Sequence, residues 1–347
     1  MQKLLFFWQK VILFIPAAIF LSSFNYWAPV AVGLLNPVEA LKQLKNVVIY
    51  EEETSAPNPF RDFSIENFRQ TAAATGTDSE KTNTDYNVIK EAFSSAESNI
   101  ILKKDACYVK NLTHMPAEEV KKLMLSPVEF TVEKNSSKPQ ILIMHTHATE
   151  SYLPSYGTEF DPSYAFRSTD NNKNMVAVGK VMADILNSKG YNTIQDSTQH
   201  DYPSYNGSYD KSRDTVESYL EKYPSIKIVL DVHRDAVERD GAIIAPTATI
   251  NGAEYAQIMI ISGRDNGYMN MPNYRQNLKF AAIVQNRLSK DRPGITRPIL
   301  FDYRNYNQQL TTGSLLVEIG THGSTLSRAK RSREQFALSL AAVLEDM

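Results

Sequence analysis

The 347-residue chain has a single cysteine, Cys107. It can therefore close no internal disulfide and build no thiolate metal centre, so any metal must be held by imidazole and carboxylate. Charge of one sign is lacking too: 37 Lys and Arg stand against 39 Asp and Glu. Without a broad basic field to hold phosphates, nucleic acid is not expected as a partner. H-E-x-x-H is missing, which excludes the helical zincin arrangement, and so are G-x-x-x-x-G-K-[ST], G-x-S-x-G and a clear dinucleotide fingerprint. The two-metal pattern H-x-H-x-D-H fails because Thr149 and Glu150 follow Ala148. There is no internal repeat, hence no solenoid. Hydrophobic residues make up 42% and charged residues 22%, which suits a folded body rather than a disordered chain or a polytopic membrane protein.

The N-terminus has its own character. Lys3 and Lys10 are unaccompanied by acids, and Val11 to Leu35 contains no Asp, Glu, Lys or Arg. That length can cross a bilayer. The basic end should stay in the cytoplasm, with Asn25, Tyr26 and Trp27 at the outer interface. The run outlasts an ordinary signal-peptide core and lacks an A-x-A site. Residues 1–35 are therefore read as a single transmembrane anchor in the cell membrane, with the rest exported. Residues 36–94, with Glu51 to Glu53, Pro57, Pro59 and the polar stretch Thr71 to Thr84, read as a stalk. Residues 95–134 read as a small adaptor with a strand near Ile100 to Leu102 and a helix over Pro116 to Leu125.

From residue 135 to 347 apolar runs alternate with helical periodicity. Ile141 to Met144 is a continuous apolar run of the kind buried on both faces. Met175, Val178, Met182, Ile185 and Leu186 recur at helical spacing before Gly190, and Val216, Tyr219, Leu220 and Tyr223 form a second stripe. Further strands are expected at Ile226 to Val232, Ile243 to Ile250, Ile258 to Ile261 and Leu315 to Ile319. Helices are expected from Asn273 to Leu288 and from a Thr325 cap to Leu344. The pattern predicts an α/β fold, an open and mostly parallel sheet with helices on both faces.

Function in such sheets sits beyond the carboxyl ends of the strands. Three of the runs end in polar residues: His145-Thr146-His147-Ala148-Thr149-Glu150, then Asp231-Val232-His233-Arg234-Asp235, then Glu318 followed by His322. The chain has six histidines, and four of them stand at these ends. A catalytic zinc takes three imidazole or carboxylate ligands and keeps one position open. His145, Glu150 and His233 can supply the three, with Glu318 as the proton shuttle, since a lone carboxylate in an apolar strand is costly unless it is paired or functional. His147, Arg234, Asp235 and His322 are candidates for substrate or ligand orientation. Spacing alone does not separate His145 from His147. His145 is preferred because it directly follows the buried run. Each residue also has a structural explanation: a hydrogen-bonded loop histidine, a His233–Asp235 bond, a Glu318–Arg234 ion pair.

The string from His145 to Tyr152, Ser208-Tyr209 with Arg213, Asp231 to Ala236, Tyr306-Asn307-Gln308 and Leu316 to Thr321 together resemble the stage II sporulation protein P family. The resemblance covers about residues 95 to 345, and a single anchor with a variable stalk is also a feature of that family. It implies a fold similar to zinc-dependent N-acetylmuramoyl-L-alanine amidases, Zn2+ as cofactor and peptidoglycan as substrate. It further implies endopeptidase action on cross-links, and work beside stage II sporulation proteins D and M at the septal membrane during engulfment. Carried over by position, it makes His145, Glu150 and His233 the zinc ligands and Glu318 the catalytic acid/base. Ala148 and Ser324 depart from the family pattern, where Thr and Asn are usual, and neither is a proposed ligand. The rival readings are a non-catalytic wall-binding scaffold and a zinc-dependent deacetylase of wall sugars.

Overall fold

The computed structural model describes residues 88–93, 100–154 and 164–347. The expected anchor and most of the expected stalk lie outside the described residues. Among the described residues, no helix is long and apolar enough to cross a membrane.

The first strand, β1 (Val88–Glu91), falls in the segment expected to be stalk. It pairs in parallel with β8 (Ala242–Ile250), setting Val88 beside Ile243. With β7 (Glu238–Arg239) and β9 (Ala253–Ala256) these strands form a small sheet of their own. The apolar run at residues 243–250 therefore builds this second sheet rather than the main one.

The main sheet has eight strands. From one edge they are β2 (Ile101–Lys104), β3 (Cys107–Asn111), β11 (Ile299–Asp302), β10 (Ile258–Gly263), β12 (Gly313–Thr321), β6 (Ile228–Asp235), β4 (Ile141–Met144) and β5 (Thr193–Gln195). The pairs β2/β3 and β10/β12 are antiparallel and the others parallel. The expected adaptor is thus the edge of the same sheet. Cys107 and Val109 alternate into its core, as strand periodicity requires.

Five helices are present among the described residues: α1 (Ala117–Met124), α2 (Met175–Ser188), α3 (Ser208–Lys222), α4 (Tyr274–Asp291) and α5 (Leu326–Glu345). Asn174 caps α2 by accepting from the Val176 N–H at 2.9 Å, and Gly190, with φ 89°, follows its end. Thr325 caps α5, as its sequence position predicts.

Alternation along the strands sorts the two faces. Ile141, Ile143, Leu230, Val232 and Val317 pack with Val120 of α1, Val178 and Met182 of α2, Leu278 and Phe280 of α4, and Phe336 of α5. Each such side chain contributes about 1.5–3 kcal/mol of burial. On the opposite face, Leu142, Met144 and Val229 pack with Val216, Tyr219 and Leu220 of α3. Met259, Ile261 and Leu316 pack there with Tyr209 and Tyr306. Helices do lie on both faces, but four to one. On the α3 face the C-terminal halves of β6 and β12 carry Asp231, His233 and Glu318 where apolar residues would otherwise stand.

Candidate active site

Residues two apart on a strand share a face, so β6 presents Asp231 and His233 together. Both are buried. Asp231 is clamped by the segment that leaves β4: the Thr146 N–H donates to its Oδ1 at 2.8 Å and the Thr146 hydroxyl to its Oδ2 at 2.7 Å. His233 Nε2 lies 2.7 Å from Asp231 Oδ1, and its Nδ1 lies 3.6 Å from Glu150 Oε2. Burial alone would pull the imidazole down, but Asp231 and, more weakly, Glu150 and Glu318 raise it to about 9. Burial likewise works against ionised Asp231, yet His233 and Thr146 hold it below the usual carboxylate range.

Glu150 accepts from the Arg234 main-chain N–H at 3.2 Å, with the Arg234 and Arg167 guanidiniums 3.9 and 4.0 Å from its other oxygen. His147 meets His233 edge to face, ring centroids 5.3 Å apart, and stacks on Tyr205 at 4.5 Å. Asp201 approaches His147 Nδ1 to 4.0 Å and takes a hydrogen bond from Arg167 Nη1 at 2.7 Å.

His145 goes elsewhere. Its Nδ1 is 2.8 Å from the Val232 carbonyl oxygen, its Nε2 is 3.3 Å from Gln195 Nε2, and the ring lies against Gly179 of α2. Burial first of all lowers it to about 4, so it is neutral at ordinary pH. Strand alternation, which would point His145 and His147 the same way, ends at Met144. The chain then turns, with the Glu150 N–H donating to the His147 oxygen at 3.2 Å. The turn carries His147 to the α3 face while His145 stays on the α2 side.

Glu318 is 6% exposed, and its Oε2 has no hydrogen-bond partner. Burial and then Asp235 push its carboxyl well above the usual range, while His233 pulls back. It is not ion-paired with Arg234, whose Nε and Nη2 donate to the Ser151 and Phe166 carbonyls at 3.1 and 3.0 Å. Asp235 pairs with Arg297 at 2.7 Å rather than with His233. His322 meets Phe166 edge to face at 5.1 Å and lies 3.5 Å from Glu238, on the small-sheet side. The structure thus gathers His147, Glu150, His233 and Glu318, flanked by Arg234 and Asp235, and leaves His145 and His322 outside the cluster.

Among the described residues, no three His, Cys, Asp or Glu side chains are drawn into a ready metal-holding group. The donor chemistry suits zinc all the same: two imidazoles and a carboxylate. With Asp231 engaging His233 Nε2, its Nδ1 faces Glu150, the carboxylate–histidine arrangement that orients metal ligands. Sequence reasoning assigned no role to Asp231, Tyr205, Tyr209 or Arg297. The two-residue spacing of Asp231 and His233 was the available signal for the first; the others are joined only by the fold.

The family model described as Stage II sporulation protein P (SpoIIP) matches residues 36–341. The chain belongs to that family. Among curated members of the stage II sporulation protein P family, that of Bacillus subtilis (strain 168) is 30% identical over 211 residues, 58% of this chain and 50% of that protein. The chain thus spans about half the length of that relative. Among solved structures, N-acetylmuramoyl-L-alanine amidase AmiC2 of Nostoc punctiforme is 14% identical, with 61% of this chain and 98% of that one covered at a TM-score of 0.37. The apo N-acetylmuramyl-L-alanine amidase Ami1 of Mycobacterium abscessus is also 14% identical, covering 60% and 98% at a TM-score of 0.36. Likeness at that level carries no argument about this chain.

Proposed function

We propose that this member of the stage II sporulation protein P family is a zinc-dependent peptidoglycan hydrolase. It cleaves the amide between N-acetylmuramic acid and the stem peptide, with action on peptide cross-links as a second activity. The observation that carries this reading is the buried carboxyl of Glu318, its Oε2 without a hydrogen-bond partner, set in register beside His233, with Glu150 and His147 around the same imidazole.

In this reading His147, Glu150 and His233 would hold the zinc; His147 takes the place that sequence position and the family resemblance gave to His145. Zinc, when bound, acidifies a water to a pKa of about 7 and polarises a carbonyl. Asp231 fixes the ring of His233 from behind. Glu318 takes the proton of the attacking water and delivers it to the leaving amide nitrogen. Arg234, through its main-chain N–H, keeps Glu150 turned to the site.

The charge-free run Val11 to Leu35 supports a single-pass anchor that places the hydrolase outside the cell membrane. The family assignment supports work in sporulation, with stage II sporulation proteins D and M as partners.

Digesting purified sacculi with the full-length protein and identifying products by mass tests the reaction. Free stem peptides are expected. Deacetylated glycan would replace the amidase by the deacetylase, and intact sacculi would leave a wall-binding scaffold. A reporter fused after residue 36 should be active only outside the cytoplasm.

A further inference from the structure

We propose that Tyr209 is a catalytic residue whose phenol donates a hydrogen bond to the carbonyl oxygen of the scissile amide as negative charge develops there. The assignment rests on the hydrolase reading above and adds to it the group that receives the oxyanion.

The phenolic oxygen of Tyr209 is enclosed and has no hydrogen-bond partner. A buried donor left unmade is costly, which is the condition of a group preorganised for an oxygen that arrives only with substrate. The ring stands beside the cluster. It meets His147 edge to face at 5.5 Å and packs on Tyr306 at 5.3 Å, among Met259 and Leu316 of the sheet face that carries Glu318. Asp231, Glu318 and Glu150 are all close enough to act on it electrostatically.

Its position is held by the main chain. The Tyr209 carbonyl accepts from Asn307 Nδ2 at 2.8 Å and lies 3.1 Å from Ser212 Oγ. Asn307 and the preceding Tyr306 both adopt left-handed backbone, φ 57° and 46°, and strain of this kind persists where surrounding contacts over-determine it. Asn307 also donates to Ser212 Oγ at 3.1 Å, the Ser212 hydroxyl donates to Thr146 Oγ1 at 2.8 Å, and the Thr146 hydroxyl donates to Asp231. One buried network therefore fixes both Tyr209 and the partner of His233. It also accounts for Ser208-Tyr209 and Tyr306-Asn307-Gln308, sequence strings that the ligands and Glu318 leave unused. Two cations nearby are committed: Arg234 to the Ser151 and Phe166 carbonyls, Arg167 to Asp201.

An interaction made only in the transition state lowers kcat when lost and leaves KM in place. The test is Tyr209→Phe in the full-length chain, measured on a soluble muropeptide beside wild type, with zinc content and Tm recorded on the same samples. Expected are a kcat lower by about 10²-fold, an unchanged KM, unchanged zinc, and a Tm equal to or above wild type because an unsatisfied donor has been removed. Unchanged kcat overturns the proposal. So does a lowered Tm or a loss of zinc, which would mark the hydroxyl as structural. Wild type that cleaves nothing would instead bring down the hydrolase reading, and the role of Tyr209 with it.

Discussion

Glu318 and His233 are register partners in the parallel β6/β12 ladder, one strand spacing apart on one face of the sheet, about 4.8 Å. The imidazole could neutralise the carboxylate, but its two nitrogens already face Asp231 and Glu150. Glu318 is left beside that imidazole without a hydrogen bond to it.

Glu318→Gln keeps the shape of this side chain and removes the shuttle. Turnover on peptidoglycan should fall by about 10² to 10⁴, the usual share of a positioned acid/base. Zinc content should stay at wild-type level. Tm should not fall, because a neutral amide replaces a carboxyl that burial disfavours in its charged form. Full activity in this variant would sink the mechanism.

His145 and His147 should part company when each is changed to Ala. His145→Ala opens a cavity against α2 and leaves the Val232 carbonyl without its partner, at a cost of about 2–4 kcal/mol. Its zinc should remain. His147→Ala should keep most of its stability and lose the metal. Gly179→Ala is a third arm: the added Cβ would fall 2.5 Å from His145 Nε2, which overpacks the core by about 1–3 kcal/mol without touching the ligands. Urea unfolding and metal analysis on the three proteins decide the matter. Loss of zinc from His145→Ala at wild-type stability would restore the assignment made from sequence position.

These residues also show what a linear reading can and cannot reach. The run Ile141 to Met144 announces a strand buried on both faces, and the structure places it inside the main sheet, between β6 and the edge strand β5. Ile243 to Ile250 announces a strand equally well, yet partner choice sends it to a separate sheet with Val88. Nothing local distinguishes it from Ile258 to Ile261. The direction of His147 depends on a turn at residues 146–149 made of Thr, His, Ala and Thr, which carries no Gly or Pro to announce itself. Asp231 was within reach of period-two reasoning. Tyr205, Tyr209 and Arg297 were not, because they come from a loop, a helix start and a strand entry that only tertiary packing unites.

The buried His322 gives stability a pH dependence of known sign. Burial first, then Arg234, lowers it to about 4, against about 6.5 in the unfolded chain. Between these values the unfolded chain binds the proton and the folded one does not. Its contribution is therefore complete above about pH 6.5 and is lost as pH falls toward 4, by about 3 kcal/mol in all. His322→Gln should lower the slope of urea-unfolding stability between pH 7 and 4 and leave the part of the same sign that buried His145 contributes. A wild-type slope in the variant would show that another group carries the dependence.

Asp231→Asn tests the hold on His233 without disturbing the fold. One oxygen of Asp231 accepts from the Thr146 N–H and faces His233 Nε2; the other accepts from the Thr146 hydroxyl. An amide can keep its oxygen on the first side and turn its NH2 toward that hydroxyl, whose proton is then released to Ser212 Oγ, 2.8 Å away. The geometry survives while the charge goes. His233, raised to about 9 chiefly by this carboxylate against its burial, becomes a weaker base and a more loosely fixed ligand. Zinc affinity, read by competition with a chelator, should drop by about 10- to 100-fold, with Tm close to wild type in the metal-free protein. Asp231→Ala strands the buried Thr146 N–H and should lower Tm as well. Wild-type zinc affinity in Asp231→Asn would mean that His233 does not bind metal through the nitrogen facing Glu150, and the ligand set would have to be redrawn.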